Sequence, residues 1–541
     1  MPICSLLLTT LSSPGQPPGH AAGPADFVNP FIGASTSVAK AGASHGLGKT
    51  FPGAATPFGM VQVSPNTITG GDNGSGYSYE HESIEGFAFT QLSGIGWYGD
   101  LGNFLVMPTT GPLKTVAGKL GHEDDGYRSV YDKQTEKASP GYYTATLSKY
   151  HVKTEATAAP HSGMLRFTFP AGHTSRIQID LARRVGGTST LQSVHVVDDH
   201  SIEGYMQCEP GGGGWGNGEG HASYTVYFYA QFSKPLKDWG VWSADIPDEW
   251  SRKREDVESD RYQQRVAAAT VTRRPSKMTG KHLGFFTEFA TAAGEQVLMK
   301  AGISFTDIEH ARLNLQSEIT GWDFDAVRRD AHSRWNEALG KVQVEGGTTD
   351  EKTIFYTALY HTMIDPRGVS DVDGSYKGGD GKIHKGPGVR RTVFSGWDVF
   401  RSQMPLQTII NPAVVDEQLR SLTELADETG RHYFERWELL NAYTGCMIGN
   451  PAVSVLADAY AKGIRGYDIQ KAYEYARNSC ERFGNGDRGW SDICEPEDHR
   501  RNSYGNSPSS SPTRSRMPIP NGVSRVLRAG WGRTRTRKNM P

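Results

Sequence analysis

The feature that most constrains this chain is a change of hydrophobic period near Phe305. Before it, apolar and polar residues alternate in short runs such as GMVQVSP, GNFLVMP, GYYTATL, KTEATAAP, GMLRFTFP, RIQIDLA, ASYTVYFYAQF and QVLMKAGISF. These runs are rich in β-branched and aromatic residues, are punctuated by Gly, Pro and Asn, and recur roughly every ten residues. A period of two belongs to strands with one face buried, and no long helical stretch separates the runs. Residues 26–304 are therefore expected to form an antiparallel β-sandwich.

After Phe305 the apolar positions recur at three and four. Ile308, Ala311 and Leu315 share one helical face, and Val327, Ala331, Trp335 and Leu339 share another. Asp307 and Asp323 stand where N-caps or first-turn acids belong. Two linker helices are expected over 305–345. Beyond Gly347 the runs EKTIFYTALYHTMI, WDVFRSQMPLQTII, PAVVDEQLRSLTELADETG and VSVLADAYAKGI follow one another without strand signals between them. That succession predicts an all-α domain over 346–490. Flanking it are a Pro/Gly/Ser-rich leader, 1–25, and a low-complexity tail, 491–541. The leader has a short apolar patch but no basic segment before it, so it is a weak secretory signal.

A chain of 541 residues exceeds one compact core, and 37% hydrophobic residues with 64 glycines describe turn-rich globular material. The net charge of −2 argues against a nucleic-acid binder. Residues 499–541 nonetheless hold nine Arg and one Lys with no acid, leaving 47 basic against 59 acidic groups in 1–498. The tail reads either as a basic arm for anionic partners or as out-of-frame or mis-spliced sequence. No apolar run is long enough to span a bilayer, so no membrane association is expected. Five cysteines at irregular spacings form neither a disulfide framework nor a zinc pattern.

The run TVFSGWDVFRSQMP, Thr392 to Pro405, sets Trp397, Asp398 and Arg401 close together in an apolar segment. An indole suits the C–H face of a pyranose, and the two charged groups suit its hydroxyls. The same run also reads as an amphipathic helix start with an i,i+3 ion pair and a buried Trp. Trp437 and Glu438, beside Arg436, repeat the pairing and would line one pocket with the first set. Trp97, in the Gly-rich LSGIGWYGDLGN, is either an exposed grip on a ligand or a core residue of the sandwich. Gly211 to Gly220 contains a nominal GxGxxG, but a strand follows it where a nucleotide site needs a helix. Asp371, Asp373 and Asp380 are spaced like part of a calcium loop without its closing Glu, and read as a solvated turn. Asn73-Gly74-Ser75 is a formal glycosylation sequon that reads first as a tight turn. No HExxH or comparable metal pair occurs among the 17 histidines, and Cys446 reads as a small buried residue.

Several long blocks in order, FVNPFIG, TFPGAATPFGMVQVSPNT, GFAFTQLSGIGWYGDLGNFLVMP, ASPGYYTATL, IFYTALYHTMIDPRGVSDVDGSYKG and RWELLNAYTGCMIGNPAVSVLADAYAKGIRG, resemble glycoside hydrolase family 92. The resemblance covers residues 26 to about 490 and implies a multidomain β + α architecture. Its parts are the antiparallel sandwich, the linker helices and the first part of an (α/α)6 toroid. It implies calcium-dependent, inverting exo-α-mannosidases acting on α-1,2 linkages of N-glycans, with Trp97 gripping the sugar beside the scissile bond. Bound calcium would help distort the ring. Expected partners are α-mannosides or N-glycans, in a monomer that is secreted or, equally with the composition, cytosolic. In the family the acid, base and calcium motifs come in runs such as GNEP and GNDD, and neither occurs here. Where relatives carry Asn-Glu, this chain has Ala442 and Tyr443. No catalytic residue is assigned, and negligible turnover is expected. The alternative is a non-catalytic carbohydrate-binding fragment.

Overall fold

The structure, a computed structural model, describes residues 23–34, 49–67, 74–93, 99–185, 187–209, 222–250, 254–447 and 449–484. The sequon residue Asn73, Trp97, the loop 211–220, most of the leader and the tail lie outside the described residues.

Alternation does what it predicts. In the strand Ser162–Phe169, Leu165, Phe167 and Phe169 point into one large core, while Met164 and Arg166 take the other face. In Tyr224–Phe232, Val226, Phe228, Ala230 and Phe232 are inward, and Tyr227 and Tyr229 outward. Two antiparallel sheets, of eight and ten strands, enclose this core. The larger runs through Leu191–Val196, Ser201–Cys208, Tyr224–Phe232, Glu295–Ser304, Ser162–Phe169, Val152–Ala158, Tyr142–Leu147 and Ser129–Ser139. The smaller centres on Leu105–Thr110, Gly172–Asp180 and Gly284–Thr291. The short helix Asp260–Ala267 interrupts the strands. It is only eight residues long and largely polar, too short to show a helical period in sequence, and Tyr262 and Val266 seat it on a small satellite cluster.

The two expected linker helices are Ile308–Glu318 and Phe324–Leu339, capped by Asp307 and Asp323 through the N–H groups of His310 and Ala326. Both cover the outer face of the ten-stranded sheet, where Ala311, Leu315 and Phe324 meet Met164 and Tyr229. The approach at Gly302 is so close that a Cβ there would lie 2.1 Å from the Ala311 carbonyl oxygen.

The helical part contains Thr349–His361, Gln403–Ile410, Pro412–Glu428, Pro451–Ala461 and Ile469–Gly484. Contrary to an uninterrupted succession of helices, short strands intervene: Arg367–Gly368 pairs with Arg391–Thr392, and Phe394–Ser395 pairs with Trp437–Leu439. They are two or three residues long, below the length at which alternation can be recognised. The run WDVFRSQMPLQTII is also two helices rather than one, Gly396–Val399 and Gln403–Ile410. Pro405 has no N–H for the carbonyl four residues back, so a continuous helix through Arg401 is broken there.

The seam between sandwich and helices is polar. Arg367, 1% exposed, donates from Nε and Nη2 to Asp365 at 2.7 and 3.0 Å, and from Nη1 to Gln62 Oε1 at 2.8 Å and to the Gln91 carbonyl. Trp335 Nε1 donates to the Ala55 carbonyl, and the Phe58 amide to that of Met363. His161 faces an acceptor at each ring nitrogen: Glu318 Oε1 at 2.6 Å from Nδ1 and the Ser370 carbonyl at 3.0 Å from Nε2. Burial opposes its charge, but Glu318, Asp371 and the Ser370 carbonyl outweigh burial and raise its pKa above the usual imidazole value.

Two outcomes follow. Gly302→Ala should destabilise the chain by about 1–3 kcal/mol in urea unfolding, because neither the helix backbone nor the strand can yield. A histidine whose folded pKa is raised stabilises fully below its unfolded value, 6.5, and ceases to as pH rises through the folded value. Thermal unfolding across that range should show this loss, and His161→Gln should remove it while lowering stability at acidic pH.

Candidate functional site

The segment from Arg391 to Val399 is held on both sides. Arg391–Thr392 pairs with Arg367–Gly368, then Phe394 pairs with Glu438 and Ser395 with Trp437. Between the two ladders Val393 adopts φ 67°, a left-handed conformation that a β-branched side chain ordinarily avoids. Gly396 follows where a Cβ would sit 2.4 Å from the Arg436 carbonyl oxygen, so the turn into the helix Gly396–Val399 admits no side chain.

This turn bounds a cavity of about 370 Å³ at the seam. The sandwich contributes Thr50 and Ser93, and the helical part contributes His361, Thr362, Asp365, Val393, Phe394, Ser395, Asp398 and Gln403, with Ile364, Met404 and Leu406 among the apolar lining. Asp365 is locked by Arg367, and Ser395 Oγ donates to Asp398 Oδ2 at 2.5 Å. Burial lowers the His361 pKa to about 4, leaving a neutral imidazole at physiological pH. The polar lining thus combines two carboxylates with uncharged hydroxyl and amide groups, over an apolar base.

Of the residues singled out in the sequence, Trp97 is not described, and of the other five Asp398 lines the cavity. Trp397 is half-buried on the same short helix, with the exposed Arg401 stacked over its ring at 5.0 Å and over Phe400 at 5.2 Å. Trp437 is 1% exposed within the sandwich-core cluster. Glu438 is 2% exposed and accepts from Thr392 Oγ1 and the Asn441 amide, and burial raises its pKa. Cys446 is buried. Sequence reasoning passed over Asp365, His361, Thr50, Ser93 and Gln403. Thr50, Ser93, His361 and Asp365 all lie inside blocks already quoted for the resemblance, but nothing in their spacing marks them out.

Asp371, Asp373 and Asp380 do not converge. Asp371 is 3% exposed, not part of a solvated turn, and accepts from Ser304 Oγ and Asn314 Nδ2 at the seam. Asp373 pairs with Lys385 and Asp380 with His384. Among the described residues no three His, Cys, Asp or Glu side chains gather to hold a metal ion.

The sequence matches the glycosyl hydrolase family 92 N-terminal domain over residues 27–304 and the glycosyl hydrolase family 92 catalytic domain over 310–516. The chain belongs to glycoside hydrolase family 92. Among solved structures of this family, an α-mannosidase of Bacteroides thetaiotaomicron is 34% identical, with a TM-score of 0.74 over 85% of this chain and 57% of its own. That enzyme has also been seen in complex with mannoimidazole. An inverting family 92 mannosidase from the same organism is 27% identical, with a TM-score of 0.68 over 84% and 55% of the two chains. A protein of Arthroderma benhamiae described as an uncharacterized secreted glycosidase is 26% identical over 59% of this chain and 40% of its own length. The family 92 chain thus spans a little over half the length of these bacterial mannosidases and less than half of the fungal protein.

Next to the site the family 92 chain buries Glu435 at 2% exposure. Its Oε1 accepts the amides of Arg436, Trp437 and Gly445, while Oε2 has no partner. Burial pushes its pKa up to about 7 against the opposing pull of Arg436 and those amides. The folded chain therefore holds this proton more tightly than the unfolded one, and stability falls as pH rises from about 4.5 to about 7. Glu435→Gln keeps the shape without the titration. Thermal unfolding should show that slope flattened in the variant, which should be the more stable of the two above pH 7.

Proposed function

We propose that this chain holds the terminal mannose of α-mannosides, of the N-glycan type, in the cavity at the seam, as a member of a mannosidase family. The observation that carries this reading is the cavity itself. Its volume of about 370 Å³ lies at the small end of ligand sites, and its lining offers carboxylate acceptors, hydroxyls and an amide beside apolar surface. Sugar hydroxyls donate to carboxylates and the C–H face of the ring rests on apolar groups. Asp398, Trp397 and Arg401 on the short helix are proposed as the first contacts and Trp97 as a further one, while Trp437 and Glu438, enclosed, are proposed to support the paired strand Phe394–Ser395 that leads into that helix. The α-mannosidase structures and the mannoimidazole complex of a relative support the choice of sugar.

The proposed reaction is inverting removal of terminal α-1,2-linked mannose on a toroid of which the five helices form the first part. Secretion, supported by the description of the fungal relative, and a monomeric state belong to the same proposal. Inversion requires one carboxylic acid to protonate the leaving oxygen and one carboxylate to activate water. Asp365 is engaged by Arg367 and Asp398 by Ser395, arrangements suited to gripping hydroxyls. The runs GNEP and GNDD do not occur in the sequence. General acid and base each contribute roughly 100- to 10,000-fold, so turnover by this chain is proposed to be negligible and sugar binding to persist. Calcium stays the cofactor that the family resemblance implies; no cluster of three His, Cys, Asp or Glu occurs for it among the described residues, and no step is routed through it.

Calorimetry should detect methyl α-mannoside binding, weakened roughly tenfold or more in Asp398→Ala as a charge-assisted hydrogen bond is lost. A released-mannose assay on α-1,2-mannobiose with added calcium should stay at background. Rates like those of the bacterial enzymes would overturn the inactivity, and absence of binding by the folded chain would overturn the site.

A further inference from the structure

We propose a second sugar-binding site, separate from the seam cavity: an exposed platform at Trp322 that takes one neutral hexopyranose unit of a glycan chain. Trp322 lies in the loop between the linker helices Ile308–Glu318 and Phe324–Leu339, and it is not among the residues that line the cavity. Among the described residues it is the only exposed tryptophan, at 39%.

The indole is held in place before any ligand arrives. Lys300, 3% exposed on the strand Glu295–Ser304, donates from Nζ to the Ile319 carbonyl at 2.8 Å and to that of Gly321 at 3.2 Å. The same ammonium sits over the Trp322 ring, 4.7 Å from its centroid. A buried cation covers the inner face, so the exposed area belongs to the outer side of the ring. A ring already fixed loses little freedom on binding. Beside it the surface is open, since a Cβ at Gly321 would meet nothing within 4 Å.

Hydrogen-bonding groups flank the indole. Asp323 Oδ1 accepts the Ala326 amide at 2.9 Å, whereas Oδ2 faces the Arg329 guanidinium at 3.8 Å. Both side chains are largely exposed, so this loose ion pair costs little to open. A carboxylate that accepts and a guanidinium that donates match the hydroxyls at the edge of a pyranose whose C–H face rests on the indole. Their opposite charges leave the rim balanced, which favours a neutral sugar over an ionic one. A protein partner would need a contiguous apolar patch, and here one indole is bordered by the exposed Thr320, Gly321 and Asp323.

The test on the full chain combines native gels containing a neutral α-mannan with N-bromosuccinimide oxidation, the oxidised indoles being located by peptide mass spectrometry. Mannan should retard the wild type, and Trp322→Ala, its fold checked by circular dichroism, should need roughly fivefold more polymer for the same retardation. Mannan should also slow the oxidation of Trp322, and this protection should persist in Asp398→Ala, which weakens the cavity site. Retardation of Trp322→Ala equal to that of the wild type would overturn the platform and leave the cavity reading standing. Protection that disappears in Asp398→Ala would overturn it too, by assigning the sugar to the cavity alone. Trp322 oxidised as fast with mannan as without it would overturn the platform whatever the gels show, and this readout decides if Trp322→Ala fails to fold.

Discussion

The buried guanidinium of Arg367 is the constraint on which the rest depends. A charge at 1% exposure is costly unless its donors are matched, and the acceptors that match it come from Asp365 beside it and from Gln62 and Gln91, some 300 residues earlier. The sandwich and the helices therefore cannot slide past one another without stranding that charge. The cavity has Thr50 and Ser93 on one side and Asp365 and Asp398 on the other, and takes its shape from this fixed relation.

How an aromatic and a carboxylate at adjacent positions behave depends on the backbone that carries them. In a strand, neighbours point to opposite faces: Trp437 enters the sandwich core while Glu438 meets Thr392. In the short helix they diverge by about a quarter turn, so Asp398 lines the cavity while Trp397 receives Arg401. The same two-letter pattern thus gives one pair with a member open to a ligand and another that is enclosed.

Much of the architecture was legible because it is local. Alternation marked the central strands, and Asp307 and Asp323 marked the starts of both linker helices. The strand Ser129–Ser139 escaped, since VYDKQTEK is half charged and its pairing shifts register between Asp132 and Lys137. Leu191–Val196 and Ser201–Cys208 escaped because their alternation is diluted by Gln, Ser and Glu. The site was less legible for a different reason. Its lining gathers Thr50, Ser93, His361 and Asp398 across the fold, and no spacing in a sequence records a contact between positions so far apart. Asp365 carries no periodic or motif signal of its own, and only its buried partner gives it meaning.

Val393 has a further consequence. Its left-handed backbone costs roughly 1–2 kcal/mol that glycine would not incur, yet its side chain also fills part of the cavity lining. Sequence drift at this codon is caught between two penalties: a smaller residue relaxes the turn and hollows the floor, whereas a bulkier one aggravates both turn and fit. A cavity hinged on such a residue is narrow in its tolerance at the very place where its outline changes direction.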